Sequence, residues 1–164
     1  MVKKTYDEKI GEIPINFTLA LGPDSISVFK LGSDVEKYSG LNVAEGRQYN
    51  DSPDDAYIYG LCNVMNGGKD IYFYVNASRL KGAITEEGEK RAMYDLLFHE
   101  SIHVAYLCIA KWKGKGATNW VNLKWPIVGE SGDITEEQFA RVVGFIGQTI
   151  ADDFSKMYKK VSND

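Results

Sequence analysis

A chain of 164 residues has the length of a single domain with one hydrophobic core, and its 44% of hydrophobic residues is typical of a folded protein. Its 19 Lys and Arg against 23 Asp and Glu give a net charge of -4, with no helix-long basic stripe, which argues against nucleic acid as the main partner. Cys62 and Cys108 are too few for a disulfide framework, and no apolar run reaches the length of a membrane span. Polar residues 5–9 stand where a secretory signal needs an apolar run, so we expect a cytoplasmic protein.

The first elements that the residue pattern predicts are β-strands. Residues 12–21 and 25–31 are strand-like, and the turn residues Gly, Pro and Asp at 22–24 are expected to join them into a hairpin. Residues 33–55 are polar and are predicted to be mostly loop, with a short helix over 34–38.

A second hairpin is predicted in the next segment. Residues 56–64 and 70–76 are rich in Tyr, Ile and Val, as strands are. Asn66, Gly67 and Gly68 between them accept the positive φ angles of a tight turn, so we expect the two strands to pair antiparallel.

One long helix is predicted over residues 86–111, because good helix formers fill it and Lys111 lies near its end, where the helix dipole favours cations. Its middle is apolar on nearly all sides, which predicts a buried central helix. Residues 113–133 form a predicted loop whose Trp120 and Trp125 are candidates to line a substrate cleft.

The last helix has a clear start. Thr135 and Gln138 make a capping box, and Ile134 is placed to pack on Phe139. An apolar stripe follows at helical spacing: Phe139, Val142, Val143, Ile146, Ile150, Phe154, Met157 and Val161. Beside the stripe, small residues form a second face, where we expect the central helix to approach closely: Ala140, Gly144, Gly147 and Ala151.

The segment His99-Glu100-Ser101-Ile102-His103 carries the chemistry. Residues four apart lie on one face of a helix, so His99 and His103 can direct two imidazoles at one zinc ion. Glu100 lies one step around the helix, where its carboxylate can take a proton from a zinc-bound water. Burying these polar residues in apolar surroundings is costly without partners, which favours a Zn²⁺ site over two core histidines that coincide in spacing.

A catalytic zinc site also needs a third protein ligand and an open position for water. We favour Glu137, because it lies on the small-residue side of the last helix; Glu136, Glu130 and Cys62 are the alternatives, and acids in a first helical turn also simply complement the helix dipole.

Residues that would assist the site are less sharply indicated. Asp95, one turn before His99, is a candidate to accept the free N–H of that imidazole. Four residues are candidates to stabilise an oxyanion, although core packing or a surface salt bridge explains each of them better: Tyr106, Tyr59, Tyr74 and Arg141.

The motif His99-Glu100-x-x-His103 in a long helix, after a strand and before a helix that begins with Glu136, resembles the zincin-type metallopeptidases with a glutamate third ligand. It is also similar to small zincin-like proteins of bacteria and phages. The likeness covers roughly residues 56–150, and only the five-residue motif is specific. In that family the two histidines and a downstream Glu bind zinc and the motif Glu is the general base. The third histidine of the metzincins is absent, since no histidine follows His103.

This resemblance implies a single α+β domain over residues 1–164, with a small antiparallel or mixed sheet, a central motif-bearing helix and a C-terminal helix packed against it. In such proteins the strand before the helix, here 70–76, commonly forms the edge of the cleft, where a peptide or protein substrate can add as a further strand. The expected activity is zinc-dependent hydrolysis of peptide bonds.

Two alternatives remain at this point. The chain is a zincin-like binding protein if its zinc site is structural or inactive. It is a deformylase-like amide hydrolase if Cys62, 37 residues before His99, is the third ligand, although the glycine-rich signatures of deformylases are not evident.

Overall fold

A computed structural model describes residues 2–22, 60–65, 69–77, 80–81, 89–114 and 134–162. The predictions for the strand at 25–31, the short helix at 34–38 and the long loop with Trp120, Trp125 and Glu130 fall outside these residues, as does Tyr59.

Four strands form one mixed sheet in the order β1-β2-β4-β3. Their bounds are Val2–Ile10 for β1, Ile13–Gly22 for β2, Gly60–Met65 for β3 and Asp70–Asn76 for β4. The second hairpin is confirmed, because β3 pairs antiparallel with β4 on either side of the predicted turn. With the helices below, these strands make the fold α+β, as predicted.

The first hairpin differs from the prediction. The antiparallel partner of β2 is the N-terminal strand β1, which runs from Val2, opposite Leu21, to Ile10, opposite Ile13. Gly11 makes the tight connection with a φ of 59°, in the left-handed region that favours glycine. Sequence reasoning missed β1 because an edge strand leaves most side chains in water and therefore lacks an apolar pattern; Tyr6 is its one buried residue.

Strand β4 lies inside the sheet, which corrects the expectation that it forms the edge of a cleft. One side of β4 pairs in parallel with β2, from Thr18 opposite Tyr72 to Gly22 opposite Asn76, and its other side pairs with β3. Both rows of its backbone hydrogen-bonding groups are therefore used. Among the described strands, the one at the end of the sheet on this side is β3.

Two long helices cover one face of the sheet. The first, α1, spans Glu89–Trp112, and the second, α2, spans Glu136–Ser162. The capping box at the start of α2 is confirmed: the Thr135 amide donates to Gln138 Oε1 at 2.8 Å, and the Gln138 amide donates to Thr135 Oγ1 at 3.2 Å. No helix within the described ranges is long and apolar enough to cross a membrane.

The core lies between the sheet and the helices. The inward side chains of β2 are all buried, and Phe73 of β4 stacks on Phe154 of α2 with ring centroids 6.5 Å apart. The predicted apolar stripe of α2 is confirmed in its buried members, which are Val142, Ile146, Ile150, Phe154, Met157 and Val161. Both helices therefore pack directly on the sheet, and they pack on each other beside it.

The two helices run antiparallel. Ser101 of α1 lies beside Gly147 of α2, and Tyr106 meets Phe139 edge-on with centroids 6.0 Å apart. In this register His103 is level with the second and third turns of α2. The register of the two helices therefore determines which residues of α2 lie near the motif.

Candidate metal centre

Helix α1 brings the two histidines of the motif together. The Nε2 atoms of His99 and His103 lie 3.3 Å apart, and their rings meet at 67° with centroids 5.0 Å apart. The four-residue spacing of the helix makes this contact, since it places both side chains on one face. His99 is exposed and His103 is half-buried, so the pair lies at the surface of the helix layer.

The separation of the two nitrogens fits a tetrahedral zinc ion. Two Zn–N bonds of about 2.0–2.1 Å that meet at a tetrahedral angle hold their nitrogens about 3.3–3.4 Å apart. Without a metal, the same 3.3 Å separation suits a hydrogen bond in which one neutral imidazole donates to the other. The separation of the two nitrogens is therefore compatible with either arrangement.

The surroundings of His103 favour its neutral form. Burial lowers the pKa of His103, and the neighbouring His99 lowers it further by repulsion between the two rings. A neutral imidazole is the form that ligates a metal. The site is thus disposed to bind a cation at neutral pH.

Glu100 is buried beside this pair. Its side chain is 5% exposed, and its Oε2 atom has no hydrogen-bond partner within the described part of the chain. Burial raises the pKa of Glu100 to about 7. A buried carboxyl whose Oε2 atom lacks a partner among the described residues is costly for a fold to keep, and a raised pKa is common at functional sites.

Cys62 lies on the same side of α1 as Glu100. Its strand neighbour is Phe73, which faces the helices, and the Cys62 side chain is 2% exposed. Burial raises the pKa of the Cys62 thiol well above its usual value, and the charges of Glu100 and Cys108 add to the effect. The structure thus brings this alternative ligand near the general-base candidate.

The favoured third ligand, Glu137, is not beside the histidines. Its carboxylate accepts a hydrogen bond from Arg141 Nε at 3.0 Å, and both side chains are more than 70% exposed. In the helix register, Glu137 lies roughly 10 Å along the axis from the level of His103. Glu136 is exposed as well, and Glu130 falls outside the described residues.

Within the described residues, no three His, Cys, Asp or Glu side chains are grouped so that they could hold a metal ion. The described residues therefore bring two candidate ligands together, and the metal site, its third ligand and its base all remain predictions.

Glu137 was favoured as the third ligand because the small-residue face of α2 was predicted to pack on α1, and that prediction is partly wrong. Of the small-residue face expected to pack on α1, Ala140 and Gly144 are exposed, and no atom lies within 4 Å of a Cβ built on Gly144. Gly147 does face α1 through Ser101. The helices pack mainly through the broad apolar stripe of α2, which turns the small residues at its margin toward solvent.

The assisting residues are dispersed. Asp95 is exposed one turn before His99, and Tyr106 is half-buried against Phe139. Tyr74 is 1% exposed and stacks on Tyr72, on the face of the sheet opposite Phe73 and the helices. It is therefore directed away from the motif, and Arg141 is engaged by Glu137.

Sequence reasoning missed two features of α1. It expected burial on nearly all sides, but Tyr94, Phe98 and Ile102 are among the most exposed large apolar residues. Their recurrence at every fourth position was the available signal. Ser101 is buried at 1% exposure without a hydrogen-bond partner for its Oγ among the described residues, which no pattern in the sequence indicates.

The chain matches no protein-family model, no curated protein and no solved structure. An assignment of function therefore rests on the residues and geometry described above.

Proposed function

We propose that the chain is a zinc-dependent hydrolase of the metallopeptidase kind, in which His99 and His103 hold the ion and Glu100 is the general base. The observation that carries the proposal is the combination at one point of α1: two imidazole nitrogens 3.3 Å apart, next in sequence to a buried carboxyl whose Oε2 atom has no hydrogen-bond partner among the described residues. Neither half alone is specific, but together they supply the parts of a hydrolytic zinc site.

The chemistry divides between the ion and the chain. A bound zinc ion supplies a Lewis acid that acidifies water and polarises a carbonyl. The residue that moves protons is Glu100: its carboxylate removes one from the attacking water and returns it to the leaving amine. In the metal-free chain, burial raises the pKa of Glu100 to about 7, and the positive charge of a bound zinc ion would favour the ionised carboxylate that accepts the proton.

The arrangement of elements supports a zincin-like reading of the domain. The motif lies in the middle of a helix that packs under a mixed sheet, and a second long helix follows and packs against it. Among the described strands, the two at the ends of the sheet are β1 and β3, so an added peptide strand would pair with one of these and not with β4.

One observation favours a second candidate. Cys62 is buried on the side of α1 where Glu100 lies, and the charge of Glu100 contributes to its raised pKa. A thiolate ligand from a strand, with two histidines from a helix, is the donor set of the deformylase-like alternative, which hydrolyses a formyl amide. A zinc ion would lower the pKa of such a thiol by binding its ionised form.

The test compares metal content with hydrolysis in one preparation. Protein purified without chelator should hold about one zinc per chain by elemental analysis, and it should cleave members of a broad peptide library detected by mass spectrometry. Chelation should abolish cleavage and zinc should restore it, while His103→Ala should lose both. Absence of transition metal after zinc supplementation would refute the site, and cleavage only of formyl-methionyl peptides would assign the deformylase-like alternative.

A further inference from the structure

Three large apolar side chains of α1 stand exposed beside the histidines. Tyr94 is 52% exposed, Phe98 65% and Ile102 45%. They recur every four residues and so form one row, which we call the apolar ridge, and the rings of Tyr94 and Phe98 stack with centroids 6.1 Å apart. Single exposed apolar residues are ordinary, whereas a contiguous row of three is a candidate contact surface.

The ridge runs alongside the proposed ligands. Phe98 directly precedes His99, and Ile102 is three residues after it, so both are neighbours of His99 on the helix surface. Because helical side chains lean toward the N-terminus, the Ile102 side chain covers the turn that carries Phe98 and His99. Because His99 is itself exposed, a molecule bound at the histidines lies beside Phe98 and Ile102.

The far end of the ridge continues into a groove between the helices. Tyr94 lines this groove together with Leu97 and Phe154, which provide apolar surface. Asp152 and Lys159 of α2 lie along it and supply charges of both signs. The apolar surface thus extends from the histidines along α1 into a recess with a polar rim, as ligand sites commonly do.

The size of the ridge indicates its occupant. Three half-exposed side chains present roughly 300 Å² of surface, whereas a stable dimer needs about 800 Å² per partner. The ridge is too small to hold a second copy of the chain, but it suits one or two side chains of an extended peptide.

We propose that the apolar ridge of Tyr94, Phe98 and Ile102 is a wall of the substrate cleft, and that it selects peptides with an aromatic or large aliphatic side chain close to the bond that is cleaved. This inference rests on the proposed hydrolase function for its cleavage step, but the binding preference it predicts is measurable without hydrolysis. Phe98 is the central selecting residue because it is the most exposed of the three and adjoins His99.

The experiment measures binding by zinc-loaded protein that carries Glu100→Gln, so that bound peptide is not cleaved. Two fluorescein-labelled six-residue peptides, identical except for Phe or Asp at one central position, are titrated and followed by fluorescence anisotropy. The Phe peptide should bind more tightly. Adding Phe98→Ser should weaken its binding by about fivefold or more and leave the Asp peptide unchanged, and Phe98→Leu should retain most of the preference.

The outcomes separate the two proposals. Equal binding of both peptides, or equal losses for both on Phe98→Ser, overturns the ridge as a selecting wall even if the wild type hydrolyses peptides. A Phe98-dependent preference supports the ridge even if the wild type cleaves no peptide, in which case the hydrolase proposal fails alone. A wild-type dimer in size-exclusion chromatography that Phe98→Ser dissociates assigns the ridge to a second copy and overturns the inference.

Discussion

Gly147 of α2 lies against Ser101 of α1, and a Cβ added at Gly147 would stand 3.8 Å from the Ser101 hydroxyl. That distance is an ordinary van der Waals contact, so the site accepts one methyl group without displacing either helix. Gly147→Ala should therefore raise the free energy of unfolding by about 0.5–1 kcal/mol, since alanine loses less backbone entropy in a helix. Urea unfolding of metal-free protein measures the change.

A larger side chain distinguishes this contact from helix propensity. Gly147→Leu should lower the free energy of unfolding by about 1–3 kcal/mol, because its extra atoms must push Ser101 aside. Gly144→Leu is the matched control, since nothing lies within 4 Å of a Cβ there. Equal effects of leucine at both positions would contradict the proposed close approach at Gly147.

Asp153 of α2 forms hydrogen bonds with β1, and these bonds make part of the free energy of unfolding depend on pH. Its carboxylate accepts hydrogen bonds from Lys4 Nζ at 2.7 Å and from the Tyr6 hydroxyl at 2.9 Å. The bond from Lys4, more than that from Tyr6, holds the pKa of Asp153 below its ordinary value of 3.8. A carboxyl whose pKa is lower in the folded state stabilises the fold above the unfolded pKa and loses that contribution as pH falls through the folded pKa.

Asp153→Asn should therefore reduce the fall in stability between about pH 4 and pH 2, and it should cost no more than about 1 kcal/mol at pH 7, because Lys4 is half exposed. Asp152→Asn, an exposed neighbour, is the control. Thermal melting across this pH range is the measurement, and identical pH profiles for wild type and Asp153→Asn would exclude the linkage.

Patterns that arise from burial were predictable from the sequence. The bounds of β4 and the reciprocal caps of Thr135 and Gln138 agree with the prediction, because alternation and capping follow from local chemistry. Strand β1 was not predicted, because an exposed strand is held by backbone pairing and its sequence shows no apolar alternation. The order of the strands in the sheet was not predicted either, because the parallel pairing of β2 with β4 joins segments far apart in the chain.

At the candidate site, the helical spacing of His99 and His103 predicted their contact, which the structure confirms at 3.3 Å. Helical spacing alone could not predict the orientation of Glu137. The side of α2 that faces α1 depends on how the whole apolar stripe of α2 packs. The exposure of Phe98 likewise depends on how the two helices pack against each other and the sheet. Local spacing thus predicts contacts within one helix, and contacts between helices require the fold.

The identity of the third zinc ligand is tested by comparing the zinc affinities of alanine variants of the candidate residues. Glu137 is exposed and lies away from the level of His103, so it can be the ligand only if α2 shifts on binding zinc. If Glu137 coordinates the ion, Glu137→Ala should weaken zinc affinity by about a hundredfold or more, and Glu130→Ala should not. Arg141→Ala is the control, since Glu137 pairs with Arg141 at 3.0 Å in an exposed ion pair whose loss costs little. Competition with a chromogenic chelator gives the affinities, and a damaging Cys62→Ala or Glu136→Ala with a harmless Glu137→Ala would reassign the ligand.

The last prediction separates catalysis from metal binding through Glu100. Glu100→Gln keeps the volume of the side chain and removes its basicity, and the amide tolerates the buried position because it carries no charge. Zinc content and thermal stability should stay near those of the wild type, whereas turnover of any peptide substrate should fall at least about a hundredfold. Glu8→Gln, the same change on the exposed face of β1, should alter none of these quantities.

Each departure from this pattern has a distinct physical meaning. Loss of zinc in Glu100→Gln would make the carboxylate a ligand, which its position one step around α1 from His99 argues against. Retained zinc with unchanged kcat would exclude Glu100 as the base. Retained zinc with a raised KM and unchanged kcat would assign Glu100 to substrate binding, because an interaction made equally in the ground state and the transition state changes KM alone.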